Sequence, residues 1–178
     1  MIFIGYPLVK DGIKMIIRAK AIFVLIACIF IFASIVNAKE IVSSDNIKRQ
    51  KEILIDYGME NIAIENQFGE NVSRDIKSIF DFMYIASNTI SSDLYILEEL
   101  IGIHNKMACN EDTIIIKAHI LRRSTTLMST IKDNLSLIDR SCKDKRYNAL
   151  AVINLNKLRD ILKTLEPELK KLFNDMTK

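Results

Sequence analysis

The chain has one short region whose side chains are suited to metal chemistry. His104 and His119 are the two histidines of the sequence, and Cys109, Glu111 and Asp112 lie between them. Imidazole, thiolate and carboxylate groups are the usual protein ligands of transition metals. In an antiparallel hairpin turning between the histidines, these groups would come near one another. We nevertheless expect no metal or cofactor, because no close-spaced histidine pair is present and His104 falls on an apolar stripe typical of a core.

Patterns associated with catalysis are absent from the sequence. It contains no glycine-rich phosphate loop, no His-Glu-x-x-His and no Cys-x-x-Cys, which are the short motifs with a known chemical role. Glu98 and Glu99 are adjacent, so on a helix their side chains point in different directions and do not form a catalytic pair. We therefore expect a protein that is not an enzyme and has no catalytic residues.

The N-terminal segment has the three parts of a secretory signal. Arg18 and Lys20 precede an unbroken weakly polar to apolar run over residues 21–36, and small or modest side chains follow at the positions that a signal peptidase recognises. We predict a signal peptide that ends at Ala38, with Lys39 as the first residue of the mature chain. This prediction places the protein in the periplasm or outside the cell.

Three alternatives for this segment remain open. Residues 21–38 would anchor the chain in the inner membrane if they are not removed, although the apolar run is shorter than the ~20 residues that span a bilayer. Cys28 follows a lipobox-like sequence, but cleavage there would leave a strongly apolar mature N-terminus. Translation that starts at Met15 would give a signal of ordinary length. In each case residues 39–178 form the working domain.

Residues 39–178 are predicted to form one all-α domain, a bundle of about four main helices. Glycine and proline are scarce, with five and two residues in the chain, which argues against a turn-rich β fold. Apolar residues recur in alternating steps of three and four, as on the buried face of a helix. Three long stripes run from Ile76 to Ala108, from Ile114 to Cys142 and from Tyr147 to Met176, after a weaker first helix with Ile47, Leu54 and Tyr57.

Polar and conformationally special residues predict where the helices begin, end and break. Gly58 interrupts the first helix, and Pro167 restarts or kinks the last one. Residues 87–92 and 123–130 are rich in serine and threonine, so the second or third helix would break there into shorter pieces. Side-chain oxygens that would cap helix N-termini are supplied by Ser44 or Asp45, by Ser73 and by Asn110.

Cys109 and Cys142 pose a geometric alternative. Two cysteines in an exported domain usually form a disulfide bond. One straight helix from Asp112 to Ser141 would be ~45 Å long, whereas the Cα atoms of bonded cysteines lie within ~7 Å. Either the third helix is continuous and the thiols stay apart, or it breaks within residues 123–130 and the cysteines pair. We favour the broken helix and the disulfide.

The net charge of +3 belongs to the first 38 residues, and the rest of the chain is neutral but polarised. Residues 39–112 carry 7 basic and 14 acidic side chains, and residues 113–178 carry 14 basic and 7 acidic ones. We expect acidic early helices to lie beside basic late ones in an antiparallel bundle. The alternative is that the basic second half contacts an anionic membrane surface. Nucleic-acid binding is not expected, because residues 39–178 have no net charge and contain no recognised nucleic-acid-binding motif.

The lack of catalytic motifs favours a protein that acts by binding another protein of unknown identity. By analogy of architecture, it would be an inhibitor or immunity factor against a secreted toxin, or an accessory subunit of a secretion system. The alternative is a membrane-surface, small-ligand or metal-binding helical module, with His104 and His119 as the weak metal candidates. No oligomeric state follows from the sequence.

Overall fold

The computed structural model describes residues 42–68, 73–107 and 111–177, and these residues form long helices and no strands. The chain divides into two units, Met1–Glu40 and Ile41–Lys178, and all described residues belong to the second. The predicted all-α bundle of about four helices is confirmed. The helices are α1 (Asp45–Gln67), α2 (Arg74–Lys106), α3 (Glu111–Ser141) and α4 (Ala149–Thr177).

The four helices pack antiparallel in chain order, and α4 returns to lie beside α1. At the start of α1, the backbone of Val42 exchanges two hydrogen bonds with the side chain of Asn105 near the end of α2. Across the other seam, Tyr57 in the second half of α1 donates a hydrogen bond to the carbonyl of Asn154 near the start of α4. Helices α2 and α4 also touch across the diagonal, whereas the described parts of α1 and α3 do not meet.

The core is built from the apolar stripes that the sequence predicts in α2 and α4. In α4, every predicted position from Ala151 to Met176 is buried. In α2, the predicted positions from Phe80 to His104 are buried as well. Burying one large aliphatic side chain contributes about 1.5–3 kcal/mol relative to leaving it exposed, so these two seams supply much of the stability.

The buried stripe of α3 lies one residue away from the predicted one in the first half of the helix. Ile120, Ser124 and Leu127 are fully buried, whereas Ile114 is 69% exposed. The predicted stripe followed Leu121, Thr125 and Met128, each of which lies one residue after a buried one, and so it missed Ser124, whose small side chain fits in the core. With Ser124 included, the steps from Ile120 to Ile131 alternate between four and three. The stripe is therefore continuous through the middle of α3.

None of the predicted helix breaks occurs. Helix α2 continues through residues 87–92 and α3 through residues 123–130, while α1 passes Gly58 without interruption. The threonine hydroxyls in the middle of α3 donate hydrogen bonds to carbonyls four residues earlier, so their polar groups are satisfied inside the helix. Helix α4 continues past Pro167, which is exposed, so the backbone hydrogen bond that proline removes is lost on the solvent side.

The helix starts agree with the predicted caps in part. The Ser73 hydroxyl accepts a hydrogen bond from the backbone N–H three residues later, which confirms it as the cap of α2. Ser44 precedes α1 but makes no side-chain cap bond. Asn148 caps α4 by accepting a hydrogen bond from the Ala151 N–H at 2.8 Å, a role that the sequence analysis missed. The predicted cap at Asn110 lies outside the described residues.

The continuous α3 removes the basis of the favoured disulfide. Its 31 residues extend over about 45 Å, against the ~7 Å that a disulfide allows between Cα atoms. Cys142 is a free cysteine whose Sγ lies 3.6 Å from Oδ1 of Asn156 on α4. Cys109 lies outside the described residues. The prediction of a broken third helix, on which the pairing depended, is wrong.

The predicted signal peptide and the cleavage site between Ala38 and Lys39 lie outside the described residues, as does the alternative anchor at residues 21–38. In the part of the chain that is described, no helix combines the length and the hydropathy needed to cross a bilayer.

Candidate functional site

The structure keeps the two histidines apart. His104 is 7% exposed on the core side of α2, and His119 is exposed on α3. The ion pair between Arg123 and Asp93 sets the register of α2 and α3, so His104 lies about 10 Å further along the bundle axis than His119. Within residues 42–68, 73–107 and 111–177, no three His, Cys, Asp or Glu side chains come together as metal ligands. The described residues thus do not assemble the metal site considered from the sequence.

Helices α1 and α2 make the most extensive contact of the bundle, because small residues lie between them. A Cβ atom on the buried Gly58 would lie 3.0 Å from the Ser87 hydroxyl oxygen. Ser87 and Ser91 are buried, and their hydroxyls donate hydrogen bonds to the carbonyls of Tyr84 and Asn88. Since these hydroxyls are satisfied within α2, the two helices approach closely without leaving polar groups unpaired.

Polar contacts fix the same two helices at their other end. Asn105 holds the backbone of Val42 with hydrogen bonds of 2.8 and 3.1 Å. The Lys51 ammonium lies 2.5 Å from a carboxylate oxygen of Glu98 and 5.2 Å from the centre of the Tyr95 ring. The pair of helices therefore presents its outer side chains from a well-defined backbone.

The outer surface of α2 carries large apolar side chains and no charge, whereas α1 beside it exposes Glu52 and Asp56. Between Asp81 and Glu99, every exposed residue of α2 is uncharged. Met59 is 64% exposed, Ile85 60% and Tyr95 54%. We call this surface the α1–α2 face. It comprises Ile55 and Met59 of α1, and Tyr84, Ile85, Asn88, Thr89, Ser92, Tyr95 and Ile96 of α2.

The two acidic groups of α2 within this stretch are neutralised by neighbouring helices. Asp93 forms an ion pair with Arg123 of α3 on one side of α2. Glu98 pairs with Lys51 of α1 on the other side. The face is therefore flanked by compensated charges, whereas its centre is polar but uncharged. Composition of this kind, with Tyr, Ile and Met in place of charged residues, is typical of protein–protein interfaces.

The α2–α3 groove is a more polar alternative site. This groove encloses about 490 Å³ beside Ile96 and Leu100, and its remaining lining is charged or polar. Arg123 is engaged by Asp93 across it. The remaining lining residues are His119, Arg122 and Thr126.

A second groove follows the seam between α1 and α4. Ile53 and Ile161 form its apolar floor, and one section of it has a volume of about 400 Å³. Its rim is charged, and Lys157 bridges it through a 2.7 Å ion pair with Glu60. Between these charges the exposed lining of the groove is mostly apolar.

Three ion pairs across the bundle match the charge arrangement expected from the sequence, whereas Lys51 with Glu98 and Arg159 with Asp139 each join residues of the same half. Arg123 with Asp93, Arg146 with Asp75, and Lys157 with Glu60 each join a basic residue of the second half to an acidic residue of the first half. The last two pairs are about half exposed, so each contributes little to stability by itself. Because these three pairs all join the basic second half to the acidic first half, they favour the antiparallel arrangement of helices that the structure shows.

Three titratable groups with shifted pKa values have structural roles. Burial raises the pKa of Tyr57, whose hydroxyl donates a 2.9 Å hydrogen bond to the Asn154 carbonyl. Burial also raises the pKa of Cys142, so its thiol is protonated at neutral pH and is a weak nucleophile. Hydrogen bonds from Arg146 lower the pKa of Asp144 at the corner between α3 and α4. None of the three lies on the α1–α2 face.

Sequence reasoning missed the α1–α2 face, although a signal for it is present. Residues 82–97 contain a single charged residue, Asp93. An exposed helix face of ordinary type would carry several charges over four turns. The buried stripe of the same segment follows the helical period so well that the unusual composition of the opposite side went unnoticed.

Comparison with known proteins adds no relative. No family model matches the chain. No curated protein and no solved structure shows a significant match. Functional inference for this chain therefore rests on its own residues.

Proposed function

We propose that the chain is an exported protein that acts by binding another protein, and that it does so through the α1–α2 face. One observation carries the proposal. The exposed side of α2 has no charge between Asp81 and Glu99 while it displays two tyrosines and two isoleucines. A surface that meets only water is normally interspersed with charges of both signs. A contiguous patch of apolar side chains instead marks an interaction site.

The side chains of the face suit recognition of a protein surface. Tyr84 and Tyr95 combine a large apolar ring with a hydroxyl and lose little conformational entropy when they bind. Met59 is flexible and adapts to irregular surfaces. Because α1 and α2 are held together by buried small residues and by the contacts of Val42 and Lys51, the face is already organised before a partner arrives.

The predicted signal peptide supports a partner outside the cytoplasm. An inhibitor or immunity factor against a secreted toxin needs a rigid, neutral recognition surface of this kind. An accessory subunit of a secretion system also needs such a surface, but its partner is a permanent component of that system and not a toxin from outside. Both belong to the same class of protein, which binds without chemistry.

Charge insertion at the centre of the face tests this proposal. The variant carries Ile85→Lys and Tyr95→Lys, and its matched control carries Ile114→Lys and Leu137→Lys at exposed apolar positions of α3. Each protein is expressed from the full reading frame and used to capture ligands from the exported fraction of its host. We expect the wild type and the control to retain the same protein, and the face variant to lose at least about tenfold in affinity, the effect of 1.4 kcal/mol.

Circular dichroism of both variants establishes that the bundle is intact. Equal capture by the face variant and the wild type would rule out the α1–α2 face as the binding site. Loss of capture by the α3 control alone would move the site to the α2–α3 side of the bundle.

A second candidate function, contact with an anionic membrane surface, has one supporting observation. Lys143 and Lys145 are exposed at the corner between α3 and α4, next to the exposed apolar side chains of Leu150 and Ile153. Basic and apolar groups side by side are typical of membrane-surface contact. Flotation with vesicles that contain anionic lipid tests it. Binding that fades with salt and with Lys143→Ala and Lys145→Ala would support it.

A further inference from the structure

The α2 part of the α1–α2 face is nearly symmetric about one point. Tyr84 and Ile85 recur as Tyr95 and Ile96 eleven residues later. Eleven residues are about three helical turns, so both dipeptides point outward from the same side of α2. Their midpoint is Ile90, which is buried beneath the face. The exposed side chains between the two dipeptides are small and uncharged, namely Asn88, Thr89 and Ser92.

The α1 part of the face is centred at the same level. Ile55 and Met59 are one turn apart on α1, and both are about half exposed or more. The contact between Gly58 and Ser87 sets the register of the two helices. It places the middle of the Ile55 to Met59 turn beside the middle of the α2 segment, to within one turn. Both helices thus share a single centre of symmetry on the outer surface.

We propose that the α1–α2 face binds the same face of a second copy of this chain, with the two α2 helices antiparallel about a twofold axis near Ile90. A twofold interface must be complementary to itself, so that residue i meets residue j and j meets i. The axis brings Tyr84 of each copy to Tyr95 of the other, and Ile85 of each copy to Ile96 of the other. This inference rests on one part of the proposed function, namely that the α1–α2 face is a protein-binding surface.

The small residues at the centre of the segment set how closely the two copies approach. Thr89 lies nearest to the axis, and Asn88 of one copy faces Ser92 of the other. Short side chains at a crossing point let two helices come close together. The larger tyrosines and isoleucines then pack on either side of it. On α1, the same axis places Ile55 of one copy against Met59 of the other.

The charges around the face limit how the two copies meet. No charged residue lies within the α2 part of the face, whereas Glu52 and Asp56 are exposed beside Ile55 and Met59 on α1, and burying such carboxylates would be costly. Asp81 and Glu99 stand at its two ends, and the twofold axis brings these like charges toward each other. Helices that cross at roughly 50° diverge away from the contact. The acidic ends therefore favour a crossed contact of limited length over a long parallel seam.

The area of the face agrees with a dimer of moderate strength. Its six large side chains are 39–64% exposed, so their burial covers less than the about 800 Å² per partner of a standard interface. Interfaces at this lower end of the range are commonly transient. We expect monomer and dimer to exchange, and the proportion of dimer to rise with protein concentration.

Analytical ultracentrifugation over the micromolar range tests the self-association. The protein is expressed from the full reading frame and purified as it accumulates. The average mass should move from monomer toward dimer with concentration. The variant with Ile85→Lys and Tyr95→Lys should stay monomeric, and the α3 control with Ile114→Lys and Leu137→Lys should behave as the wild type. A wild type that remains monomeric, or a face variant that dimerises equally well, overturns the proposal.

Cysteine cross-linking tests the antiparallel register, in a chain whose three cysteines are replaced by serine. Thr89→Cys lies near the axis, so this variant should form a disulfide-linked dimer on oxidation. Ile85→Cys should not link to itself, because the two copies of that position lie about 15 Å apart along the helices. A mixture of Ile85→Cys and Ile96→Cys chains should link. Self-linking of Ile85→Cys without linking in the mixture would contradict the antiparallel arrangement.

The dimer and the proposed function fail in distinguishable ways. If the chain stays monomeric but its captured protein is lost with Ile85→Lys and Tyr95→Lys, the dimer is wrong and the face still serves another protein. If that variant changes neither self-association nor capture, both proposals are wrong. If the variant abolishes self-association while capture is unchanged, the dimer is supported and the captured protein binds elsewhere.

Discussion

Helices α2 and α4 supply similar buried seams but have different solvent faces. Both place apolar side chains in the core at alternating steps of three and four. On the outside, α2 is uncharged between Asp81 and Glu99. Helix α4 carries charges over most of its exposed side, namely Lys157, Asp160, Lys163, Lys170 and Lys171.

This difference separates the requirements of folding from those of function. The buried seam of each helix is what the bundle needs, because burial of apolar surface is the dominant favourable contribution to folding. The outer face of α4 needs no more than good solvation. The outer face of α2 lacks the charged side chains that favour solvation. Its composition is therefore explained by a function such as binding and not by a requirement of folding.

The largest expected effect is on stability, and it tests whether the buried seams of α2 and α4 contribute equally to the free energy of unfolding. Leu94 of α2 and Leu162 of α4 are both fully buried. We expect Leu94→Ala and Leu162→Ala each to lower the free energy of unfolding by about 2–5 kcal/mol, through lost burial and the cavity that remains. Urea denaturation at low protein concentration measures both. A loss below about 1 kcal/mol for either helix would show that its seam is looser than the structure indicates.

The next effect concerns the close contact beneath the α1–α2 face. A Cβ at Gly58 would lie 3.0 Å from the Ser87 hydroxyl oxygen. A Cβ at Gly102 would have no atom within 4 Å apart from the neighbouring backbone of its own helix. Gly58→Val should therefore destabilise the protein by about 1–3 kcal/mol by forcing α1 away from α2. Gly102→Val is the matched control and should stay within about 0.5 kcal/mol of the wild type. Equal effects of the two substitutions would argue against a tight α1–α2 contact.

A smaller effect is expected at the seam between α1 and α4, together with a pH dependence. Tyr57→Phe removes the hydrogen bond to the Asn154 carbonyl and should cost about 0.5–1.5 kcal/mol. Burial raises the pKa of Tyr57 in the folded protein, so its contribution is complete below the unfolded value of about 10 and is lost as the pH rises above it.

Denaturation curves at neutral pH and above about pH 10 measure this slope. The wild type should lose stability between the two conditions, and Tyr57→Phe should lose less. Tyr95→Phe, at an exposed position, should keep the slope of the wild type. An unchanged slope in Tyr57→Phe would show that another group governs alkaline stability.

The smallest expected effect on stability is at the outer face itself. Ile85 is 60% exposed, so Ile85→Lys should change the free energy of unfolding of the monomer by less than about 0.5 kcal/mol. Lys163→Ala on the outer face of α4 should do the same. The two faces would then differ in binding and not in folding. A cost for Ile85→Lys as large as that for Leu94→Ala would mean that the face belongs to the core.

The sequence predicted every buried apolar position of α4, where leucine is the commonest residue, and missed the buried Asn154. It predicted the α2 seam as well, including the buried Ser87 and His104, because strong apolar neighbours bracket them. In α3 the buried positions include Ser124, and a pattern based on polarity alone prefers the exposed Ile114. Helical period and hydrophobicity therefore locate a helix reliably, but they locate its buried face only where polar residues are few in the core.

The predicted breaks failed for a related reason. Serine and threonine disfavour helices when their hydroxyls compete for the backbone. In α2 and α3 these hydroxyls bond to carbonyls of the preceding turn, as Ser87, Ser91 and Thr126 show. Residue type alone does not reveal which of these outcomes a chain adopts. The favoured pairing of Cys109 with Cys142 depended on the break in α3 and lost its basis with it.

The α1–α2 face depends on which side of α2 the neighbouring helices cover. The sequence shows a segment with one charge, but this composition also fits a helix buried on all sides. Packing against α1 and α3 decides that Ile90 and Leu94 are buried and that Ile85 and Tyr95 are exposed. Tertiary contacts thus turn a property of composition into a surface.

The missing contact between α1 and α3 has a consequence for how the bundle opens. Helix α1 is held mainly by its extensive contact with α2 and more lightly by α4 along the groove above Ile53 and Ile161. Regions with fewer packing contacts open at lower free energy. We therefore expect the seam between α1 and α4 to part first, with α1 swinging outward together with α2. Backbone amides there would exchange with solvent while the surface formed by α1 and α2 remains assembled.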